Sequence, residues 1–244
     1  MGPGARPGRA ILSPGTIAER HAALTARLRQ AAERAGRDPD RFRVVAVTKG
    51  INLETILAAR DAGLARFGES RLQEALPKIS AVPAAEWHLV GHLQSNKVRR
   101  AVGSFGIIHS VDSLALLGRI DAAAHDLHRR PILLLQVNLS GEASKSGFSA
   151  DELGAGASGR AELLRLLAEL RHVDVAGLMT IAAADGDAAG TFARLRHLRD
   201  DLQQQLGRPL PELSMGMSAD AESAVAEGAT LVRIGTALFG ARRT

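Results

Sequence analysis

The sequence contains no cysteine and no tyrosine, and aromatic residues make up only 3% of its 244 positions. Without cysteine, the chain has neither a disulfide framework nor a thiolate that could bind a metal or act as a nucleophile. Because aromatic residues are so scarce, the core has to be built mostly from Leu, Val, Ile and Ala. Hydrophobic residues are 45% of the chain, which is ample for a sizeable globular core.

Long apolar runs are also missing. No stretch approaches the ~18 apolar residues that a membrane-spanning helix needs. The opening residues, MGPGARPGRAILS, lack the apolar region of a signal peptide. We therefore expect residues 1–13 to form a disordered tail and the protein to be cytoplasmic, with no membrane partner.

The net charge of +5 at pH 7 could suggest nucleic acid as a partner, but its location argues against one. Arg6 and Arg9 lie in the Gly/Pro-rich start, and Arg242 and Arg243 lie in the last four residues. The rest of the chain carries a net charge of only about +1. Such a balanced body is a poor electrostatic footprint for nucleic acid, and we expect no such partner.

From residue 43 onward, strand-like and helix-like segments alternate. The eight candidate strands are Arg43–Thr48, Arg66–Gly68, Trp87–His92, Gly106–Val111, Ile132–Asn138, Val175–Thr180, Leu213–Met215 and Leu231–Leu238. An extra helix precedes them at about residues 14–35. Seven helices are predicted between them, at about residues 52–62, 71–80, 95–102, 113–128, 150–171, 187–206 and 219–227. This alternation predicts an α/β fold with a parallel sheet, closed into a single (β/α)8 TIM barrel over residues 14–244. A doubly wound open sheet is the alternative.

Lys49 stands at the carboxyl end of the first apolar strand, just before Gly50 turns the chain into a helix. An amine at the mouth of a core is partly desolvated, which disfavours the ammonium form and produces lysines able to form Schiff bases. The alternative is a lysine that extends from the strand end to solvent.

A barrel of this kind binds phosphate in the loops after strands seven and eight. Ser218 follows the seventh predicted strand, where it could cap the next helix or bind phosphate. Gly235 and Thr236 end the eighth and offer a bare backbone amide and a hydroxyl. The two loops together predict a phosphate cradle.

Arg233 is the unusual residue of the eighth strand, on the same side as Gly235. A guanidinium inside an apolar strand must be paired or must hold a ligand, and a salt bridge to Glu69 is the alternative to a ligand. His88 and His92 are four residues apart, which on a strand separates them by roughly 13 Å. They cannot share one ion, so we expect no metal site. We place His88 inside the barrel and keep His92 as a possible site residue.

Long segments of the chain match one known family. They are Val45–Lys49, Phe67–Arg71, Trp87–Lys97, His109–Ser113, Gly177–Ile181, Leu213–Asp220 and Val232–Gly240. They span about residues 43–240. On these segments the chain resembles the pyridoxal phosphate homeostasis proteins (the YggS/PROSC family), which are built on the fold of the alanine racemase N-terminal domain.

The resemblance implies that Lys49 holds pyridoxal 5′-phosphate (PLP) as a Schiff base. It further implies that Ser218, Gly235 and Thr236 bind the phosphate and that Arg233 faces the pyridine nitrogen.

Two further candidate cofactor-binding residues are Ser70 and Met217. The family usually has Asn at the position of Ser70, so this chain offers a shorter side chain there.

An arginine beside the pyridine nitrogen keeps the ring unprotonated and makes it a poorer electron sink. The related racemases also use a tyrosine as a second base, and this chain has none. We therefore expect a monomeric PLP-binding protein without robust turnover. It would buffer the cofactor and deliver it to PLP-dependent apo-enzymes.

Two enzyme alternatives stay open. One is a weak or specialised PLP-dependent amino acid racemase, in which His92 or a bound water replaces the missing base. The other is a class I aldolase-like barrel without a cofactor, in which Lys49 attacks a phosphate-bearing carbonyl substrate.

Overall fold

The structure is a computed structural model that describes residues 14–140, 142, 146–154, 156–183 and 186–240. The predicted tail, residues 1–13, lies outside these ranges, and its disorder stays a prediction. Among the described residues, no helix is long and apolar enough to cross a membrane.

The strands of the described ranges are all parallel to their neighbours. They are β1 (Arg43–Val47), β2 (Arg66–Glu69), β3 (Glu86–Leu89), β4 (Ile107–Val111), β5 (Ile132–Asn138), β6 (Phe148–Ser149), β7 (Asp174–Met179), β8 (Glu212–Ser214) and β9 (Leu231–Ile234). The ladder runs β4-β3-β2-β1-β9-β8-β7-β5, and β4 also pairs with β5. That last pairing closes eight strands into a barrel, which confirms the predicted TIM barrel and excludes the open sheet. The short β6 pairs only with β5, outside the barrel.

Helices surround the barrel. Those in the described ranges are α1 (Pro14–Arg34), α2 (Leu53–Asp61), α3 (Leu72–Ala81), α4 (Val98–Ser104), α5 (Leu114–Asp126), α6 (Ser158–Glu169), α7 (Ala188–Leu206), α8 (Ala221–Ala226) and α9 (Thr236–Phe239), with a 3-10 turn at Ser95–Lys97. Asn52, Ser113 and Asp187 cap α2, α5 and α7 by accepting a backbone N–H. The main core lies between this helical layer and the strands, and a smaller apolar layer, Val45, Leu134, Ala176, Met179 and Leu231, forms its own cluster.

The extra N-terminal helix α1 packs against α2, α8 and α9 beside the seam of β1 and β9. Its buried face includes Ile17, Leu24 and Leu28. Arg20 also donates a hydrogen bond to the carbonyl oxygen of Leu238 (3.2 Å). The helix therefore braces, from outside, the segment that follows the last barrel strand.

Three predicted boundaries are wrong. The third strand ends at Leu89 instead of His92. The eighth predicted strand ends at Ile234 instead of Leu238. The backbone of Gly235 has helical dihedral angles, and the apolar residues after it form α9. The predicted helix 150–171 begins only at Ser158, since Ser149 and Glu152 bond each other's backbone amides in a local turn.

Candidate functional site

Lys49 lies at the carboxyl mouth of the barrel, two residues after β1, and is half-buried. Its ammonium makes no hydrogen bond or ion pair with any residue in the described part of the chain. Gly50, with φ of +74°, makes the turn that follows, in a region favourable to glycine. The amine is thus held on a turn at the end of a central strand and is left unpartnered there.

An ionic cluster lies directly beneath this turn. Lys78, from α3, donates to a Glu69 oxygen at 2.6 Å and to a Glu74 oxygen at 2.8 Å. It also donates to the backbone carbonyl of Thr48 at 2.8 Å. The Thr48 hydroxyl donates to Glu69 (2.6 Å), and the Gly50 amide donates to Glu74. The cluster therefore anchors the residues on both sides of Lys49.

The two carboxylates of this cluster are perturbed in opposite directions. Burial raises the pKa of Glu69, and hydrogen bonds from Lys78 and Thr48 offset only part of that effect. Burial also acts to raise the pKa of Glu74, but the bonds from Lys78 and the Gly50 amide, with the charges of Lys78 and Arg71, lower it overall. The sequence reasoning missed this cluster. Its one visible signal is the four-residue spacing of Glu74 and Lys78, which is typical of an ion pair on a helix surface.

Arg233 is buried in β9, beside Val45 of β1. Its guanidinium donates to the Ser214 hydroxyl oxygen (2.6 Å) and to the Thr180 carbonyl (2.9 Å). Both partners are neutral, and no described carboxylate contacts it. The alternative salt bridge to Glu69 is therefore wrong, because Glu69 already bonds Lys78 and Thr48. Burial lowers the pKa of Arg233 to about 10, so the side chain is still a cation at neutral pH.

Behind Arg233, hydrogen-bonded side chains cross the barrel interior. Ser214 Oγ lies 2.8 Å from His109 Nδ1, and His109 Nε2 lies 2.8 Å from His88 Nδ1. His88 Nε2 lies 2.6 Å from a Glu86 oxygen. His88 therefore points into the barrel, as predicted. Burial lowers the pKa of both histidines, that of His109 well below the ordinary value.

The two predicted phosphate loops are joined to each other. The Ser218 hydroxyl oxygen accepts a hydrogen bond from the Ala237 amide (3.2 Å), so Ser218 links the loop after β8 to the start of α9. It does not cap α8, whose first flanking residue is Asp220. Within the described ranges, the amides of Gly235 and Thr236 donate to no other residue. A Cβ at Gly235 would meet only ordinary contacts with Val47.

A cavity of about 320 Å³ opens at the mouth of the barrel. Ser70 (after β2), His92 (after β3) and Asn138 (at the end of β5) line it. His92 Nδ1 lies 3.1 Å from an Asp112 oxygen, and the His92 side chain is 57% exposed. Met217 has an exposed side chain, while its amide donates to Asp220. The structure thus brings Ser70 to the mouth cavity and leaves the Met217 side chain facing solvent.

Metal ligands do not cluster in the part of the chain that is described. No group of three or more His, Asp or Glu side chains there has the arrangement of a metal site. His88 and His92 engage different partners, Glu86 and Asp112 respectively.

Comparison with known proteins gives relatives along nearly the whole chain. The family model described as alanine racemase, N-terminal domain, matches residues 20–243. A pyridoxal phosphate homeostasis protein of Pseudomonas aeruginosa is 46% identical over 239 residues, covering 93% of this chain and 96% of the relative. One of Synechocystis sp. is 44% identical over 210 residues, covering 84% and 93%.

Solved structures with the same fold include relatives from the same family. PipY of Synechococcus elongatus with PLP bound is 43% identical, with a TM-score of 0.79, and the alignment covers 92% of this chain and all of PipY. Alanine racemase of Clostridium difficile is 14% identical with a TM-score of 0.71, over 92% of this chain and 57% of the racemase, and shares the fold. The chain therefore belongs to the pyridoxal phosphate homeostasis protein family and carries the alanine racemase N-terminal domain.

Proposed function

We propose that this chain binds PLP covalently through Lys49, buffers the free cofactor and passes it to apo-enzymes that require it. The observation that carries the proposal is that three kinds of cofactor-binding group lie together at one barrel mouth. The adjacent strands β1, β9 and β8 carry, at their carboxyl ends, a lysine without a partner among the described residues, a buried arginine whose described partners are neutral, and two joined loops. The PLP-bound PipY relative supports the same ligand.

The residues present fit the cofactor. PLP offers an aldehyde for an amine, a dianionic phosphate and a pyridine nitrogen that can accept a hydrogen bond. We assign these to Lys49, to the loops of Ser218, Gly235 and Thr236, and to Arg233. The amides of Gly235 and Thr236, which donate to no other described residue, support the phosphate assignment.

We assign Ser70 to the wall of the cavity beside the cofactor and Met217 to the rim of the phosphate loop. The assignment of Ser70 is supported by its position in the lining of the mouth cavity. The Met217 assignment rests only on its position next to Ser218 in the chain.

When bound, PLP can serve as an electron sink for amino acid chemistry. The protein groups around the ring determine how strongly it withdraws electrons. Arg233 donates hydrogen bonds and does not supply a proton readily, because its pKa of about 10 keeps it a cation. An arginine opposite the pyridine nitrogen therefore leaves that nitrogen unprotonated and weakens the sink. This favours a carrier over an enzyme with robust turnover, and the relatives are named for homeostasis of the cofactor.

A weak racemase is the second candidate, and the His92–Asp112 pair is the observation that favours it. The pair lies at the mouth cavity, and His92 is exposed enough to exchange protons with solvent. A histidine oriented by a carboxylate is a common general base. The aldolase-like alternative has no comparable support.

The assignment of Lys49 is tested by its substitution. Lys49→Ala should abolish the visible absorption band of the PLP-loaded protein and the covalent adduct that borohydride traps. Lys97→Ala, at the 3-10 turn after β3, is the matched control and should load like the parent protein. An unchanged spectrum and an unchanged adduct mass in Lys49→Ala would refute the proposal.

Carrier and enzyme are separated by exchange of the α-proton. PLP-loaded protein is incubated in D2O with L- and D-amino acids, and deuterium incorporation is followed by NMR. The carrier predicts no exchange above that of free PLP, together with transfer of PLP to an apo-enzyme. Fast exchange that is lost in His92→Ala would establish the racemase instead.

A further inference from the structure

The hydrogen-bonded side chains behind Arg233 have a fixed direction. A guanidinium has no acceptor, so Arg233 donates to the Ser214 oxygen. Ser214 Oγ has one hydrogen, and in the described part of the chain its one remaining partner is His109 Nδ1. Seen from this end, His109 accepts at Nδ1 and carries its hydrogen on Nε2.

The other end imposes the same direction independently. The carboxylate of Glu86 only accepts, so His88 carries its hydrogen on Nε2 and donates it there. A neutral His88 then accepts at Nδ1, which again places the hydrogen of His109 on Nε2. Each group therefore donates to the next one along the series from Arg233 to Glu86. The hydrogen positions deduced from the Arg233 end and from the Glu86 end are the same.

Charge and burial reinforce this arrangement. His88, His109 and Ser214 are completely buried, so a wrongly placed hydrogen would leave an unsatisfied polar group inside the barrel. Glu86 is half-exposed at the amino end of the barrel, where Arg66 lies 3.4 Å from the same carboxylate oxygen. The hydrogen bond from His88 is the main cause of the lowered pKa of Glu86, so this carboxylate stays ionised. An anion at one end and a cation at the other thus polarise three neutral groups between them.

We propose that Glu86, His88, His109 and Ser214 are positioning residues for Arg233. They hold the Ser214 oxygen as an acceptor for the guanidinium and so set its orientation toward the mouth of the barrel. The inference rests on the proposed function, because the group that Arg233 is oriented toward is the pyridine ring of PLP. The hydrogen bonds would thereby connect Glu86, at the amino end of the barrel, with Arg233 near the mouth.

The direction of the bonds is tested first, by NMR of protein labelled with 15N-histidine and without added PLP. We expect both His88 and His109 to carry hydrogen on Nε2 and to leave Nδ1 unprotonated, with no titration between about pH 6 and pH 8. His197, which is exposed and lies outside the hydrogen-bonded side chains, is the internal reference resonance. A proton on Nδ1 of either buried ring at neutral pH would overturn the inference.

Cooperativity is tested at the solvent-accessible end, where substitution does not threaten folding. Glu86→Gln retains an acceptor oxygen and should leave both tautomers as they are. Glu86→Leu removes the acceptor, and the Nδ1-protonated form should then appear at His88 and His109 together. A change confined to His88, or no change at all, would show that the residues do not act as one unit.

The effect on Arg233 is tested with PLP as the probe. Ser214→Ala removes the acceptor of the guanidinium, and we expect PLP to bind roughly tenfold more weakly, as for loss of a hydrogen bond to a charged group. The pH midpoint of the visible band should shift as well, a change that mere loosening of the fold would not produce. His197→Asn should bind PLP like the parent protein.

The positioning role of these residues and the proposed function can be refuted separately. A Lys49→Ala variant that keeps the band would refute the proposed function, while the tautomers could still be read in unloaded protein. If PLP binds through Lys49 but Ser214→Ala keeps the parent affinity and pH profile, the positioning role is refuted and the proposed function stands.

Discussion

Two buried cations lie close to the barrel mouth, and the protein treats them differently. Lys78 contacts two carboxylates and a backbone carbonyl, all within 2.8 Å. Arg233, equally buried, has a hydroxyl and a carbonyl as its only partners in the described chain. The charge of Lys78 is therefore satisfied inside the protein, whereas that of Arg233 is only solvated by dipoles. Lys78 thus serves as a structural charge, whereas in the function that we propose the charge of Arg233 is available to a ligand.

The largest effect is expected where the paired cation is removed. Lys78→Met leaves Glu69 buried without a counter-charge, and we expect a loss of about 3–5 kcal/mol in the free energy of unfolding. Urea denaturation measures it. The double variant Lys78→Met, Glu69→Gln should recover most of the loss, because the uncompensated charge is gone. A loss below about 1 kcal/mol in the single variant would contradict the role of the cluster.

The second effect comes from the neutral histidines behind Arg233. Because burial lowers the pKa of His88 and His109, the unfolded chain binds more protons than the fold below about pH 6.5. Stability should therefore fall as the pH is lowered from about 7 to about 5, by about 2 kcal/mol for each ring that stays neutral.

The urea midpoint as a function of pH measures this loss. His109→Asn should remove about half of the dependence that the two rings cause, and His197→Asn should remove none of it. An identical pH dependence in His109→Asn and the parent protein would contradict the assignment of a neutral His109.

A smaller effect is expected at the turn that carries Lys49. Glu74→Gln keeps an oxygen for the Gly50 amide but removes the negative charge, and we expect a loss of about 1 kcal/mol. Hydrogen exchange of the Gly50 amide should also become faster. Glu54→Gln, in the first turn of α2, is a nearby control that should leave this amide unchanged.

The smallest effect on stability is expected at Arg233. Arg233→Met replaces a buried cation that has no carboxylate partner, so the free energy of unfolding without PLP should change by less than about 1 kcal/mol or increase. Affinity for PLP, measured by titration of the visible band, should fall in the same variant. A loss of stability as large as that of Lys78→Met would mean that Arg233 is structural.

Much of the site could be predicted from position along the chain. The alternation of apolar strands and helices predicts the barrel, and a barrel places Lys49, Ser218 and Gly235 at one mouth whatever the details of packing. The residue-level role of each stays a prediction until the variants are measured. The strand end at Ile234 was not predictable, because the apolar residues of α9 suit a buried strand and a buried helix equally well.

Periodicity and the long matching segments were enough to predict the fold class, the family and the end of the barrel at which the candidate site lies. The partners of the buried charges could be identified only from the folded barrel. His109 and Ser214 are 105 residues apart in sequence, and Lys78 reaches Thr48 across 30. Such contacts form when the barrel closes and the groups lose their water. A local sequence pattern therefore does not predict which buried groups will form hydrogen bonds or ion pairs with each other.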